Sequence, residues 1–340
     1  MGCATTVLDD VRAQIAADDK VLAEAKARLR TVTAAAIDYN GALRTFESGS
    51  LKHRTVNQPV TDGDGGLVLD RRVHWRLGPE GEDEPPDDTV DEVRGLVGPI
   101  VRDRYPKARL GLSKRGLLVT FGQQLTDQDP TVDLVIALTR RAGDGLWIPN
   151  LKAHKWDASD PETHTALLTS GPATLRLTRA RIIRLLKAWN KQYSVPGLSS
   201  FHLEALALEA VEAGQGLATG LAATFDHAAT FLATGANTPD PAGVSKNLRL
   251  LVDRATAVRR LRKAADKVAA ALDKGDDEAA VRDALADVYW NYLEPASDGA
   301  ASRSAVAALR SGRSVTTTTL GVGGPAAIVR PSRAYGQYRS

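Results

Sequence analysis

One cysteine, Cys3, in 340 residues excludes an internal disulfide and a cysteine-built zinc site, and the scarcity suits a reducing cytoplasm. Excess charge is missing too. Lys+Arg number 44 against 41 Asp+Glu, a formal net charge of +3, so bulk electrostatics does not point to nucleic acid. No apolar run approaches membrane-spanning length, no signal-peptide core is visible and no repeat is found. Several familiar signatures fail on spacing. The Walker pattern G-x-x-x-x-G-K-[ST] is absent, and an EF-hand loop opening at Asp62 would put Leu67 where Gly is needed and Val73 where Glu is needed. The six histidines show no H-x-x-x-H pairing and have no cysteine cluster beside them. "MGCATT" matches the short myristoylation pattern through Gly2 and Thr6. Such a match is cheap by chance, and the Ala/Arg-rich, Lys-poor composition reads as bacterial, where that modification is not expected.

What is present suffices for a core of normal size: 43% hydrophobic and 25% charged residues, over a length that fits two domains or one bilobal unit. Leu8, Val11, Ile15, Leu22, Ala25, Leu29 and Val32 recur at spacings of three and four, with Asp18 breaking one position. The pattern predicts one long N-terminal helix. Residues 66–77 read as a strand and 78–92, "GPEGEDEPPDDTVDE", as an acidic, Pro-rich, solvated loop. Residues 108–121 read as a hairpin turning at Lys114-Arg115-Gly116, and 131–138 and 145–151 as further strands. Helices are expected at 178–193, 200–213, 216–234, 245–273 and 276–292, and a poorly ordered tail at 311–340. Strands with an early helix, followed by a helical half, give an α+β lobe and then an α lobe.

The chemistry concentrates in "SGSLKHRTVNQPVTDGDGGLVLD", residues 48–70. Asp62 and Asp64 stand at i and i+2, so in a strand both carboxylates leave the same face. Like charges so close call for a cation, and a hard divalent ion such as Mg²⁺ takes oxygen ligands of this kind together with substrate phosphates. A polar Asp-Gly turn is the bland alternative. Asp133 weighs against it. It interrupts the otherwise apolar strand "TVDLVIAL", where a carboxylate is costly unless paired, hydrogen-bonded or bound to metal. Three carboxylates on adjacent strands match what two-metal phosphoryl transfer needs. Gly49-Ser50 then has a use, because a glycine lets backbone N–H groups and a hydroxyl cradle phosphate oxygens.

Gly49-Ser50, Thr55 five residues after the serine, and Asp62-x-Asp64 twelve residues after it together resemble the motif of the DNA polymerase β-like nucleotidyltransferases, and within them the bacterial cGAS/DncV-like enzymes. "TVDLVIAL" is similar to the strand that carries their third carboxylate, here Asp133. "LWIPNLKAHKWDASDPETH", "IIRLLKAWN" and "LSSFHLEALAL" are similar to later family segments, so the resemblance runs over about residues 1–293. Gly63 and Ile136 depart from it, standing where the family usually has an apolar residue and a proline.

The resemblance implies a bilobal α+β protein: a catalytic lobe with a mixed sheet and the N-terminal helix as a spine (1–175), an α-helical lobe (176–310) and a tail (311–340). It implies a metal-dependent nucleotidyltransferase with Asp62, Asp64 and Asp133 as catalytic and metal-binding residues and two Mg²⁺ or Mn²⁺ ions. Gly49, Ser50, Thr55, Lys187 and Ser200 would meet the nucleotide phosphates, and Asn150 a base edge. For Lys187 the alternative is a solvated helix face shared with Arg181 and Arg184, and for Asn150 a turn. The substrates would be NTPs, the product a cyclic or short linear oligonucleotide read by a downstream effector, with no obligatory nucleic acid and no membrane. Transfer of NMP to a tRNA, protein or small molecule, or a catalytically inactive relative, are the competing readings. The basic run Arg259, Arg260, Arg262, Lys263 and Lys267 is interleaved with Asp253, Asp266 and Asp273, and reads as a solvated face.

Overall fold

A computed structural model describes residues 2–296, with 308–309, 314–316 and 328–329 beyond them. The expected tail at 311–340 otherwise falls outside the described residues. The chain divides into two compact units: residues 16–171 with 239–247, and residues 1–15, 172–238 and 248 onward.

The first unit is built on a seven-stranded mixed sheet. Its strands are β1 (Ala42–Ser48), β2 (Asp62–Leu69), β3 (Arg109–Leu112), β4 (Gly116–Thr120), β5 (Thr131–Thr139), β6 (Leu146–Asn150) and β7 (Lys155–Ser159). They run in the order β1-β2-β5-β4-β3, with β6 pairing the end of β5 and β7 pairing β6. β2 and β5 are parallel and every other pair is antiparallel.

Period-two alternation assigns the two faces. Leu67 and Leu69 of β2 join Val132, Leu134, Ile136 and Leu138 of β5 in a core with Leu29 and Val32 of α2 (Asp19–Ala36) and Val90, Val93 and Val97 of α4 (Asp87–Arg104). Val68 and Ala137 lie on the opposite face with Phe46, Leu146 and Ile148. Asp64 and Asp133, by parity, belong to that second face, at the start of the strands.

Arg28, on α2, is wholly buried and ties the β4–β5 connection down. Its guanidinium donates to Asp129 at 2.6 Å, Pro130 O at 2.7 Å and Gln123 O at 2.6 Å, and lies over the Phe121 ring at 4.5 Å. A buried charge held this way is satisfied on every side.

The second unit is helical, with α1 (Cys3–Gln14), α6 (Ala173–Lys191), α7 (Ser200–Ala210), α8 (Leu217–Ala233), α9 (Arg254–Asp273) and α10 (Glu278–Ala286). Trp189 of α6 packs edge-on against Phe225 of α8, with ring centroids 5.0 Å apart, and Tyr289 is fully buried. Two short helices, α3 (Gly49–His53) and α5 (Pro161–Thr169), belong to the sheet unit.

Several expectations change. The predicted long helix is two helices. Asp18, the residue that breaks the apolar pattern, is the N-cap of α2 and accepts the Lys20 and Val21 N–H groups. Val7, Leu8 and Val11 of α1 pack in the helical unit instead. β2 starts at Asp62 rather than residue 66 and ends at Leu69. The acidic stretch is only partly a loop, because α4 begins at Asp87 and buries Val90. α9 begins at Arg254 rather than residue 245, with Asp253 capping it through the Thr256 N–H. β7 and α5 had no sequence forecast.

Candidate active site

Sheet register brings the acidic residues together. Asp64 pairs with Asp133 across the parallel β2–β5 ladder, Asp62 with Thr131, and Ser48 with Asp64 across β1–β2. Paired residues project to one side of a sheet, so Asp62, Asp64 and Asp133 share a face. Burial pushes the Asp133 carboxyl above its usual value. A hydrogen bond from Ser113 pulls it back, and the charge of Asp62 raises it further. The strand therefore holds a carboxylate whose ionised form is disfavoured by its surroundings, the situation a cation relieves.

The glycines of "DGDGG" answer to packing. A Cβ at Gly65 would fall 2.8 Å from Phe46 O and 2.9 Å from Leu29 Cδ1, and one at Gly66 would fall 2.2 Å from the Phe46 ring. No side chain fits between β2 and α2 on one face, or beneath Phe46 on the other. The run forms a full strand because its neighbours supply the packing that glycine lacks.

Gly49 opens α3 with φ +64°, the left-handed conformation that favours glycine. Its own Cβ would lie 1.8 Å from Asp64 Oδ2. The Gly-Ser turn thus rests directly on one of the carboxylates. Ser50 is half-buried at the first turn of α3, and its carbonyl accepts the Thr55 N–H at 2.9 Å. Thr55 is 1% exposed, and that backbone hydrogen bond ties it to the turn. Asn150, at the end of β6, donates its amide to Asp157 at 2.9 Å, and its Oδ1 is buried without a partner.

Among the described residues no three His, Cys, Asp or Glu side chains converge tightly enough to grip one ion as they stand. The donor set is nonetheless all carboxylate oxygen on one sheet face, which fits a hard divalent ion and not a soft one.

In the helical unit Lys187 is buried, not solvated, and donates to Glu204 of α7 at 2.7 Å. Ser200 is exposed at the first position of α7, capped by Ser199. Asn190 fixes the approach to that helix. Its Oδ1 accepts Gly197 N–H at 2.9 Å and its amide donates to Leu198 O at 2.6 Å. The "LLKAWN" segment therefore contributes an ion pair, a core indole and a loop staple. Of the basic run on α9, Arg262 pairs with Asp226, Lys267 with Asp287, and Arg260 lies 4.1 Å over the Tyr193 ring. No helix among the described residues is long and apolar enough to cross a membrane.

Neither a scan against protein-family models nor a search of curated proteins finds a match. Solved structures do match. CdnC of E. coli MS115-1, solved as a CdnC:HORMA-deltaN complex, superposes with TM-score 0.60 at 14% identity, covering 85% of this chain and 98% of that one. CdnG, a CD-NTase of Bradyrhizobium diazoefficiens solved with GTP, gives TM-score 0.60 at 13% identity, over 85% and 96%. The Vibrio cholerae cyclic AMP-GMP synthase DncV, described as a prokaryotic cGAS homolog, gives 0.52 at 14% identity, over 74% and 70%.

The fold is that of the CD-NTases. At such low identity the CD-NTase likeness establishes architecture, and the site rests on this chain's own geometry. Sequence reasoning gave no role to two residues that the structure sets beside candidate site residues. Ser113, whose side chain opposes the upward push of burial on the Asp133 carboxyl, sits in the forecast hairpin just before its turn. Glu204, the partner of Lys187, is the glutamate of "SSFHLE" and carried no assigned role.

Proposed function

We propose that the chain is a nucleotidyltransferase that joins NTPs into a cyclic or short linear oligonucleotide. The 3′-hydroxyl of one nucleotide would displace pyrophosphate from the α-phosphorus of another. The observation that carries this reading is the pairing of Asp64 with Asp133 on one sheet face, with the Gly49-Ser50 turn resting on Asp64. Asp62, Asp64 and Asp133 would hold divalent ions, Mg²⁺ or Mn²⁺. When bound, these supply charge neutralisation on the triphosphate and activation of the attacking hydroxyl. Gly49 and Ser50 would face phosphate oxygens, and Lys187 and Ser200 would be further nucleotide contacts. The matched folds support a role with free nucleotides: CdnG was solved with GTP, and DncV with a linear pppA–pG intermediate. The product would act as a second messenger in anti-phage defence, read by a separate effector in the cytoplasm.

Each labelled NTP, alone and in mixtures, is incubated with protein and Mg²⁺ or Mn²⁺, then treated with phosphatase and single-strand nuclease. A resistant, short, metal-dependent product is expected from NTPs alone. Label that appears only on added tRNA or protein replaces this reading with transfer to an acceptor. No turnover under any metal and nucleotide combination replaces it with a binding role.

A further inference from the structure

The sheet unit carries a cavity at the end opposite its acidic face. Its volume is about 550 Å³, within the roughly 300–1,000 Å³ of pockets that hold small molecules. It lies between the turn that enters β1 and the segment that leaves β2. β1 begins and β2 ends there, with Ala42 paired to Leu69, whereas Ser48 and Asp64 pair at the other end. The strand from Asp64 to Leu69 spans about 17 Å, so the cavity is no part of the candidate active site.

One wall is aromatic. Tyr39 and His74 stack with ring centroids 5.7 Å apart and planes 10° from parallel, and the neighbouring Trp75 is 51% exposed. Backbone contacts hold this wall in place. His74 Nε2 donates to Asn40 O at 2.8 Å, and Arg76 O accepts the N–H groups of Glu82 and Glu84 at 2.8 and 3.2 Å. The other wall is the start of α4, with Asp88, Thr89 and Glu92. Glu92 accepts the Tyr39 hydroxyl at 2.5 Å. Neither Asp88 nor Glu92 has a basic partner among the described residues, and Arg76, the arginine of the lining, is paired with Glu82 and Glu84. Thr89 is 7% exposed, and its hydroxyl has no hydrogen-bond partner among the described residues.

These features call for one ligand chemistry. An open indole face attracts a cation. Carboxylates at i and i+4, with Cβ atoms about 5–6 Å apart, repel each other until positive charge neutralises them. A buried hydroxyl without a partner is costly, and it can accept an N–H group. Among the described residues no three His, Cys, Asp or Glu side chains converge on a point, so the charge that suits this wall is strung along a chain and is not a metal ion. We propose that the cavity binds a polyamine, with ammonium groups on Asp88 and Glu92, an N–H group on Thr89 and the methylene chain along Trp75. Nothing in this site depends on the nucleotidyltransferase reading.

Spermidine is titrated calorimetrically into wild type, Trp75→Ala, Trp75→Phe and the double variant Asp88→Asn/Glu92→Gln, in buffer containing Mg²⁺, with thermal melting of each. Wild type is expected to bind at one site. The double variant should bind about tenfold or more weakly. Trp75→Ala should bind about threefold or more weakly, and Trp75→Phe should keep most of the affinity. Melting should be unchanged, because these side chains are exposed. No binding by wild type, equal binding by all variants, or displacement of spermidine by an equal concentration of Mg²⁺ overturns the proposal. An arginine-containing peptide is titrated in parallel, and saturable binding of the peptide with none of spermidine also overturns it. Should the double variant melt lower, the Trp75 variants decide alone: weaker binding in Trp75→Ala with recovery in Trp75→Phe upholds the site, and equal binding overturns it.

Discussion

The Cα of Gly49 and the carboxylate of Asp64 are in direct contact, so that a single added carbon would lie 1.8 Å from Oδ2. Gly49→Ala therefore does two things at once. It places a Cβ on a residue at φ +64°, which costs roughly 1–2 kcal/mol, and it drives Asp64 out of its place. The expected outcome is a melting temperature lowered by a few degrees and turnover reduced at least about 100-fold. Kinetics of the folded fraction, measured well below the melting temperature, separate the two effects. Wild-type kcat in Gly49→Ala would show that the observed placement of Asp64 is not the one used.

Asp62→Asn, Asp64→Asn and Asp133→Asn should each remove several kcal/mol of barrier lowering, a loss of about 10³-fold or more in kcat, and chelation of divalent ions should do the same to wild type. The Asp133 variant carries a second, opposite signature. Burial, together with Asp62, holds its carboxyl above the usual value despite Ser113. A raised folded-state value means the native state binds the proton more tightly than the unfolded chain. Stability is then lost as pH rises from the ordinary carboxylate range through the raised value, and stays lost above it. Without metal, Asp133→Asn should melt at or above the wild-type temperature at pH 7, and the difference should vanish under acid conditions. A lower melting temperature at pH 7 would mean that Asp133 is a structural hydrogen-bonded residue.

Lys187 and Glu204 form a buried pair, with side chains 7% and 5% exposed. Removing one partner leaves the other charged and dry, so Lys187→Met alone should cost about 3–5 kcal/mol. The double variant Lys187→Met/Glu204→Leu removes both charges and should recover much of that stability. If Lys187 also meets the triphosphate, the double variant stays impaired in nucleotide binding. Recovery of binding together with stability would assign the pair a purely structural part.

Asp18→Ala tests the break between α1 and α2. Loss of the side-chain acceptor for the Lys20 and Val21 N–H groups should cost about 1 kcal/mol of stability while leaving nucleotide binding intact. A continuous helix through this position would make the substitution neutral or stabilising, since alanine is the better helix former.

The legible parts of the sequence were those in which residue type alone specifies the chemistry. Carboxylates at i and i+2, and a lone aspartate inside "TVDLVIAL", announce an acidic face whatever packs around them. The hairpin at Lys114-Arg115-Gly116 was legible from its turn residues. Other features depend on what lies opposite in space. Gly65 and Gly66 look like a broken strand until α2 and the Phe46 ring are seen to occupy the room a Cβ would need. Asp18 looks like a fault in a heptad until it is seen as a cap. Arg28 stands beside the apolar stripe, and nothing local reveals that its partners wait roughly a hundred residues away. Lys187 shares its helix with exposed arginines, and only the packing of α7 shows it to be buried.

The parallel pairing of β2 with β5 also sets when the acidic face can form. The hairpin β3–β4 and the β6–β7 pair join near neighbours, whereas Asp64 and Asp133 meet across roughly seventy residues of intervening chain. Closing so long a loop draws heavily on chain entropy and comes after the local pairings. During synthesis, the amino-terminal portion emerges with Asp62 and Asp64 beside β1 alone, and has no third carboxylate to set beside them until β5 has left the ribosome. The face that joins Asp62 and Asp64 to Asp133 is therefore assembled only once β5 pairs with β2.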